Sequence, residues 1–146
     1  MKIEEISKKT YRRFADNEMK QFFDDSFDRK QKAEFWSAYS HEGKRICFAA
    51  KEGTKTIGAV SVDIEYKVAK LGVFIVSEKY RNSGIGSHLL DKCEDLAKKN
   101  KCKKIWLFTL PTIKAFRFYK KRGYIEEGRL RKQFGGRDAS IMSKFF

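Results

Sequence analysis

The chain has 146 residues, of which 41% are hydrophobic and 14% aromatic, with one proline and no low-complexity stretch; that supplies the core of one domain and excludes a disordered chain. Lysine and arginine number 33 against 19 acidic residues, a formal net charge of +14, so the surface attracts polyanions, whether a nucleic acid or a small ligand carrying phosphates. No apolar run approaches the roughly 18 residues of a membrane-spanning helix, and the opening MKIEEISKKTYRRF lacks the apolar core of a secretory signal.

In chain order, KIEEI at residues 2–6 predicts a short edge strand. Over residues 7–39, Tyr11, Phe14, Met19, Phe22, Phe23, Phe27, Phe35 and Trp36 recur at spacings near three and four, which predicts helix. FDDSFDRKQ divides it in two, with Asp25 or Ser26 as cap. RICFAA predicts a strand, KEGTK a turn with Gly53, and TIGAVSVDI a second strand at hairpin spacing. After a turn at EYKVA, KLGVFIV predicts a third strand, apolar on both faces and therefore central.

A glycine-bearing loop and an amphipathic helix follow. Leu89, Leu90, Cys93, Leu96 and Ala97 share one side of this helix; Asp91, Lys92, Glu94, Asp95 and Lys98 share the other. KIWLFTL predicts a fourth strand. Pro111 and a helix over about 112–122, stopped by Gly123, come next. The end predicts a hairpin turning at Gly135 and Gly136. Helices, then an antiparallel meander, then β-α-β-α and a closing hairpin predict a single α+β domain over residues 1–146 with helices packed on a mixed sheet. Cys47, Cys93 and Cys102 form no CxxC pair and only two histidines accompany them. This argues for three reduced thiols in a cytoplasmic protein and against a metal site.

The stretch YRNSGIGSHLL, residues 80–90, lies between the central strand and the amphipathic helix. It is no dinucleotide fingerprint, because Leu89 stands where a third glycine or alanine belongs. It lacks the Gly-Lys-Ser/Thr of a P-loop, and it leads into a helix rather than a second strand, unlike a kinase loop. A lone G-x-G is most simply a tight strand-to-helix turn. Such a turn also suits an anion: glycines let backbone N–H groups approach a ligand, and the first helical turn leaves N–H groups unpaired.

Together with PTIKAFRFYKKRGY downstream, this stretch resembles the GNAT N-acetyltransferases, which move an acetyl group from acetyl-CoA to an amine. Arg81, Gly84 and Gly86 match the family's pyrophosphate segment, and Ala115, Tyr119, Gly123 and Tyr124 match its second segment. The similarity covers about residues 45–146. It implies a mixed, mostly antiparallel sheet splayed at its central strand, with helices on both faces. It implies that backbone groups of Phe74, Ile75 and Val76 pair with the pantetheine arm, and that Arg81, Asn82, Ser83, Gly84, Ile85, Gly86 and Ser87 cradle the pyrophosphate. Thr112 stands where an asparagine often bonds the pantetheine, and Tyr119 matches the residue that protonates the departing thiolate.

Phe108 occupies the strand position where some members place an acid, so the resemblance names no general base. Asp63, Glu65 or a water are the candidates, and a backbone N–H near Val76 is the expected oxyanion donor. His88 and His41 read as surface or loop residues. Phe116, Phe118 and Tyr124 read as core.

The tail, with Gly136, Arg137, Asp138, Ala139 and Met142, is similar to the ends of the ribosomal-protein and N-terminal-peptide acetyltransferase branch, although Gln133 and Phe134 replace its aromatic pair. Direct attack of a primary amine in a ternary complex with acetyl-CoA is expected, the acceptor being a peptide or protein amine. A small amine, a polyamine or aminoglycoside, is the alternative; it would need a locally acidic cleft, for which Asp24, Asp25 and Asp28 are candidates. A basic RNA- or ribosome-associated module on the same fold is the third reading. A monomer or homodimer without membrane contact is expected.

Overall fold

The computed structural model describes residues 6–26, 28–33 and 43–146. Residues 2–5 of the edge strand expected at 2–6 lie outside these residues, as do Phe27, Phe35, Trp36 and His41; Ile6 is described and is not in a strand. The chain divides into two compact units, Met1–His41 and Glu42–Phe146.

In the first unit, helix α1 spans Lys8–Ser26. Ser7 accepts the Thr10 N–H at 3.1 Å, which satisfies one of the unpaired amides of the first turn. A second helical stretch covers residues 29–33. Its cap is Asp28, not Asp25 or Ser26. The Asp28 carboxylate accepts the N–H groups of Lys30 and Gln31 at 2.8 and 2.9 Å, and the Gln31 side chain accepts the Asp28 N–H at 3.1 Å. This reciprocal box needs an acceptor ahead of the new helix. Asp25 sits in the last turn of α1 and accepts from Gln21 instead.

The second unit is built on six strands: β1 (Lys44–Glu52), β2 (Lys55–Glu65), β3 (Val68–Val76), β4 (Lys104–Thr109), β5 (Ile125–Phe134) and β6 (Arg137–Phe145), in the order β1-β2-β3-β4-β6-β5. Every neighbouring pair is antiparallel except β3 and β4, which are parallel. The mixed sheet of the expected fold class is thus present, with β3 inside it. Helices α2 (Ile85–Lys99) and α3 (Lys114–Lys121) supply apolar side chains to the core. Leu90, Cys93 and Ala97 of α2 meet Val62, Ala69, Leu71, Ile105, Leu107 and Met142 there, all at most 3% exposed. Burying a side chain the size of Leu90 contributes about 2 kcal/mol.

One residue of α2 departs from its sequence pattern. Glu94 falls on the polar side of the helical wheel, yet it is 5% exposed. Lys144 of β6 donates to its carboxylate at 2.7 Å and the Tyr124 hydroxyl donates at 3.3 Å. A buried carboxylate survives only with such partners. Burial first, then the Glu94 charge, push the Tyr124 phenol well above its usual pKa and keep it neutral.

Candidate active site

The site begins where β3 and β4 part. They pair only at Val68 with Lys104, Ala69 with Ile105 and Lys70 with Trp106. Beyond Lys70, β3 keeps its partner on the β2 side alone. A bulge also falls there: Val62 faces Leu71 and Val60 faces Phe74, so Gly72 and Val73 together oppose Ser61. Gly72 leaves room here for the Ser61 hydroxyl: a Cβ on it would lie 2.3 Å from the Ser61 Oγ, which would have to turn away. Residues 71–76 therefore offer a row of backbone N–H and C=O groups to the opening. An extended ligand can pair with such an edge as an added strand.

The loop after β3 is held from two sides. Arg81 Nε donates to the Val76 carbonyl at 3.0 Å. The Tyr80 hydroxyl donates to Glu52 of the β1–β2 hairpin, and the Ser83 hydroxyl donates to the Tyr80 carbonyl. Asn82 and Gly84 both have positive φ, 63° and 85°. Gly84 is the residue ahead of α2, whose first turn has no acidic residue and receives no side-chain cap from Gly84. Its amides and the positive end of the helix dipole are left to an anion.

One cleft of about 890 Å³ joins the two segments that the sequence singled out. Phe74, Ile75, Val76, Arg81, Asn82, Gly84, Gly86, Ser87 and Tyr119 line it. Ser83, Ile85 and Thr112 do not. Ser83 locks the turn, Ile85 packs against the core, and Thr112 is exposed. Glu78, Ile113, Lys114, Ala115 and Phe118 complete the lining. Of these, Ala115 belongs to the segment match and Phe118 to the apolar stripe of α3. Glu78 and Lys114 carried no sequence signal, since a charge beside a turn is usually solvated.

Tyr119 is 6% exposed and lies among aromatic rings. Its centroid is 6.4 Å from Phe74, 5.3 Å from Phe118 and 5.5 Å from Tyr124. Burial first, then nearby Cys93, raise its phenol well above the usual pKa. The phenol therefore keeps its proton at neutral pH. No hydrogen bond among the described residues engages this hydroxyl, and the side chain borders the cleft.

The candidate bases lie elsewhere. Asp63 takes a two-pronged bond from Arg45, at 2.6 and 2.9 Å, which holds its carboxyl below the usual range. It faces Lys70 across β2 and β3, and Glu65 faces Val68 still further from the opening. Neither lines the cleft. His88 is exposed. Cys93 and Cys102 are buried free thiols and Cys47 is an exposed one; burial pushes Cys93 up to about 12, so it is an inert core residue. Among the described residues no cluster could hold a metal ion, and no helix is long and apolar enough to cross a membrane.

A parted parallel pair, a glycine loop ahead of a helix and a buried phenol thus meet on one cleft. The family model of the acetyltransferase (GNAT) family matches residues 6–124, and the chain belongs to that family. Its members use acetyl-CoA, and the residues here fit that molecule: an open strand edge for an extended amide-bearing arm, and free amides for a pyrophosphate.

The N-alpha-acetyltransferase 30 of Xenopus laevis is 32% identical over 98 residues, 63% of this chain; the chain spans 36% of that relative's own length. An acetyltransferase from Bacillus cereus superposes with a TM-score of 0.70 over 100% of this chain and 98% of its own, at 22% identity. A structure described as a putative streptothricin acetyltransferase of Bacillus anthracis, in complex with acetyl-coenzyme A, superposes at 0.65 over 76% and 68%, at 23% identity.

Proposed function

We propose that the chain is an acetyl-CoA-dependent N-acetyltransferase whose acceptor is the amine of a peptide or protein. One observation carries this reading: the open edge of β3 runs directly into the anion loop, and Tyr119 borders the same cleft. The likeness to an N-alpha-acetyltransferase supports the choice of acceptor.

In this reading the amides of residues 82–87 hold the pyrophosphate, and the arm pairs along Val76, Ile75 and Phe74 towards the bulge. The reacting end then lies further back along β3 than Val76. With the arm running back along β3, the expected oxyanion donor moves from near Val76 to a backbone N–H of the bulge at Gly72 and Val73. The neutral amine nitrogen attacks the acetyl carbon and gives up its surplus proton to water in the cleft, the C–S bond breaks, and the thiolate takes the Tyr119 proton, which solvent restores. The acceptor ammonium, with an ordinary pKa of about 10.4 for a lysine and about 8 for a peptide terminus, loses its proton to water in the cleft. Asp63, engaged by Arg45, leaves the list of bases.

The test is release of free CoA on mixing the protein with acetyl-CoA and a peptide panel, with acetylated peptide seen by mass spectrometry. Tight acetyl-CoA binding without product from any amine would overturn the reading. Salt-sensitive RNA binding without acetyl-CoA binding would favour the basic nucleic-acid module instead.

A further inference from the structure

We propose that Lys70 is an acceptor-side specificity residue, favouring a peptide amine that is followed by acidic side chains. This deepens the acetyl-transfer reading and rests on it. Lys70 is the last β3 residue paired with β4. Ala69 and Leu71 on either side of it are buried in the core beneath the helices, so Lys70 points from the opposite face of the sheet. There its ammonium stands 5.2 Å from the Trp106 ring centroid and 5.3 Å from that of Phe108. Those rings meet edge to face at 4.8 Å. Two aromatic faces thus hold a cation at the closed end of the opening between β3 and β4.

An extended arm that leaves the anion loop after Val76 and follows the open edge of β3 reaches this closed end after five residues, about 16 Å at ~3.3 Å per residue. An acceptor that meets the tip of the arm from the opposite face passes Lys70. Among the described residues, Asp63 and Glu127 on that face are engaged. Asp63 faces Lys70 but is clamped by Arg45, so the trio keeps one net positive charge. Glu127 accepts from Lys104 and Ser143, and Glu65 lies beyond Asp63, away from the opening. That net positive trio, on a chain of charge +14, repels polyamines and attracts an acidic peptide.

The test uses the full chain, acetyl-CoA, and peptides identical except for aspartate or lysine after the first residue, with spermidine as the polycationic amine. The acidic peptide should show about tenfold higher kcat/KM, mainly through KM, with the ratio shrinking at high salt. Lys70→Glu should reverse the preference. Lys70→Gln, which keeps most of the side chain over the rings, should flatten it, and serves if the charge reversal fails to fold. Equal rates, faster turnover of the basic peptide or of spermidine, or a preference that both variants retain would each overturn the proposal. Acetylation without charge preference removes this inference alone. Acetyl-CoA binding with no acceptor acetylated removes the parent reading as well.

Discussion

Strand β4 has two unlike sides. Towards β6 it is paired from Lys104 with Phe145 through Thr109 with Ser140. Towards β3 it is paired at three positions and then abandoned. An unmade backbone hydrogen bond in a buried place costs about 1–3 kcal/mol, so a fold that leaves several open must expose them to water or a ligand. The closed side supplies stability: Lys144 of β6 reaches through to the buried Glu94. The open side supplies a binding edge, which the Gly72 bulge and the loop at Gly84 shape.

If that division is right, changes on the closed side should alter stability, and changes on the open side should alter binding and turnover. The largest expected effect is Lys144→Ala, which leaves Glu94 buried without its counter-charge and with only the Tyr124 hydroxyl. Unfolding by urea should show a loss of about 3 kcal/mol, while the folded variant keeps its acetyl-CoA affinity.

Tyr119→Phe should do the reverse. It removes a hydroxyl with no hydrogen bond among the described residues, so stability should hold while kcat falls about a hundredfold; unchanged turnover would take Tyr119 out of the mechanism. Gly84→Val comes next. At a φ of 85° a β-branched residue costs about 1–2 kcal/mol, and no atom within 4 Å would clash with the new Cβ. The domain should therefore fold, and calorimetry should find acetyl-CoA bound at least about tenfold more weakly; equal affinity would sink the pyrophosphate assignment.

The smallest effect belongs to Arg45 and Asp63, an exposed pair that contributes little. The folded pKa of Asp63 lies below its unfolded value because Arg45 bonds it. Its stabilisation is thus present above the unfolded pKa of about 3.9 and is lost as pH falls through the lower folded value. The stability difference between the parent and Arg45→Ala should therefore vanish in acid, and it should shrink in high salt.

Much of this was legible along the chain. The strands of the meander, the helix after the glycine loop and the closing hairpin follow from alternation, helical spacing and turn residues, which are local properties. So is the Asp28 box, an Asp-x-x-Gln with which Asp25 and Ser26 compete on residue type alone. Glu94 was not legible. The helical wheel places it among charges, and only the approach of β6 and Tyr124 turns that face inward.

By itself the sequence determined the order of elements, the glycine loop and the second segment carrying Tyr119, because each is written in neighbouring residues. Only the tertiary structure decided that β3 and β4 separate after Lys70, that Asp63 is engaged by Arg45, and that Lys70 rests on Trp106 and Phe108. Those facts depend on which strands become neighbours and in which register. That choice is made by burial of the whole sheet against its helices, and no local pattern along one strand encodes it.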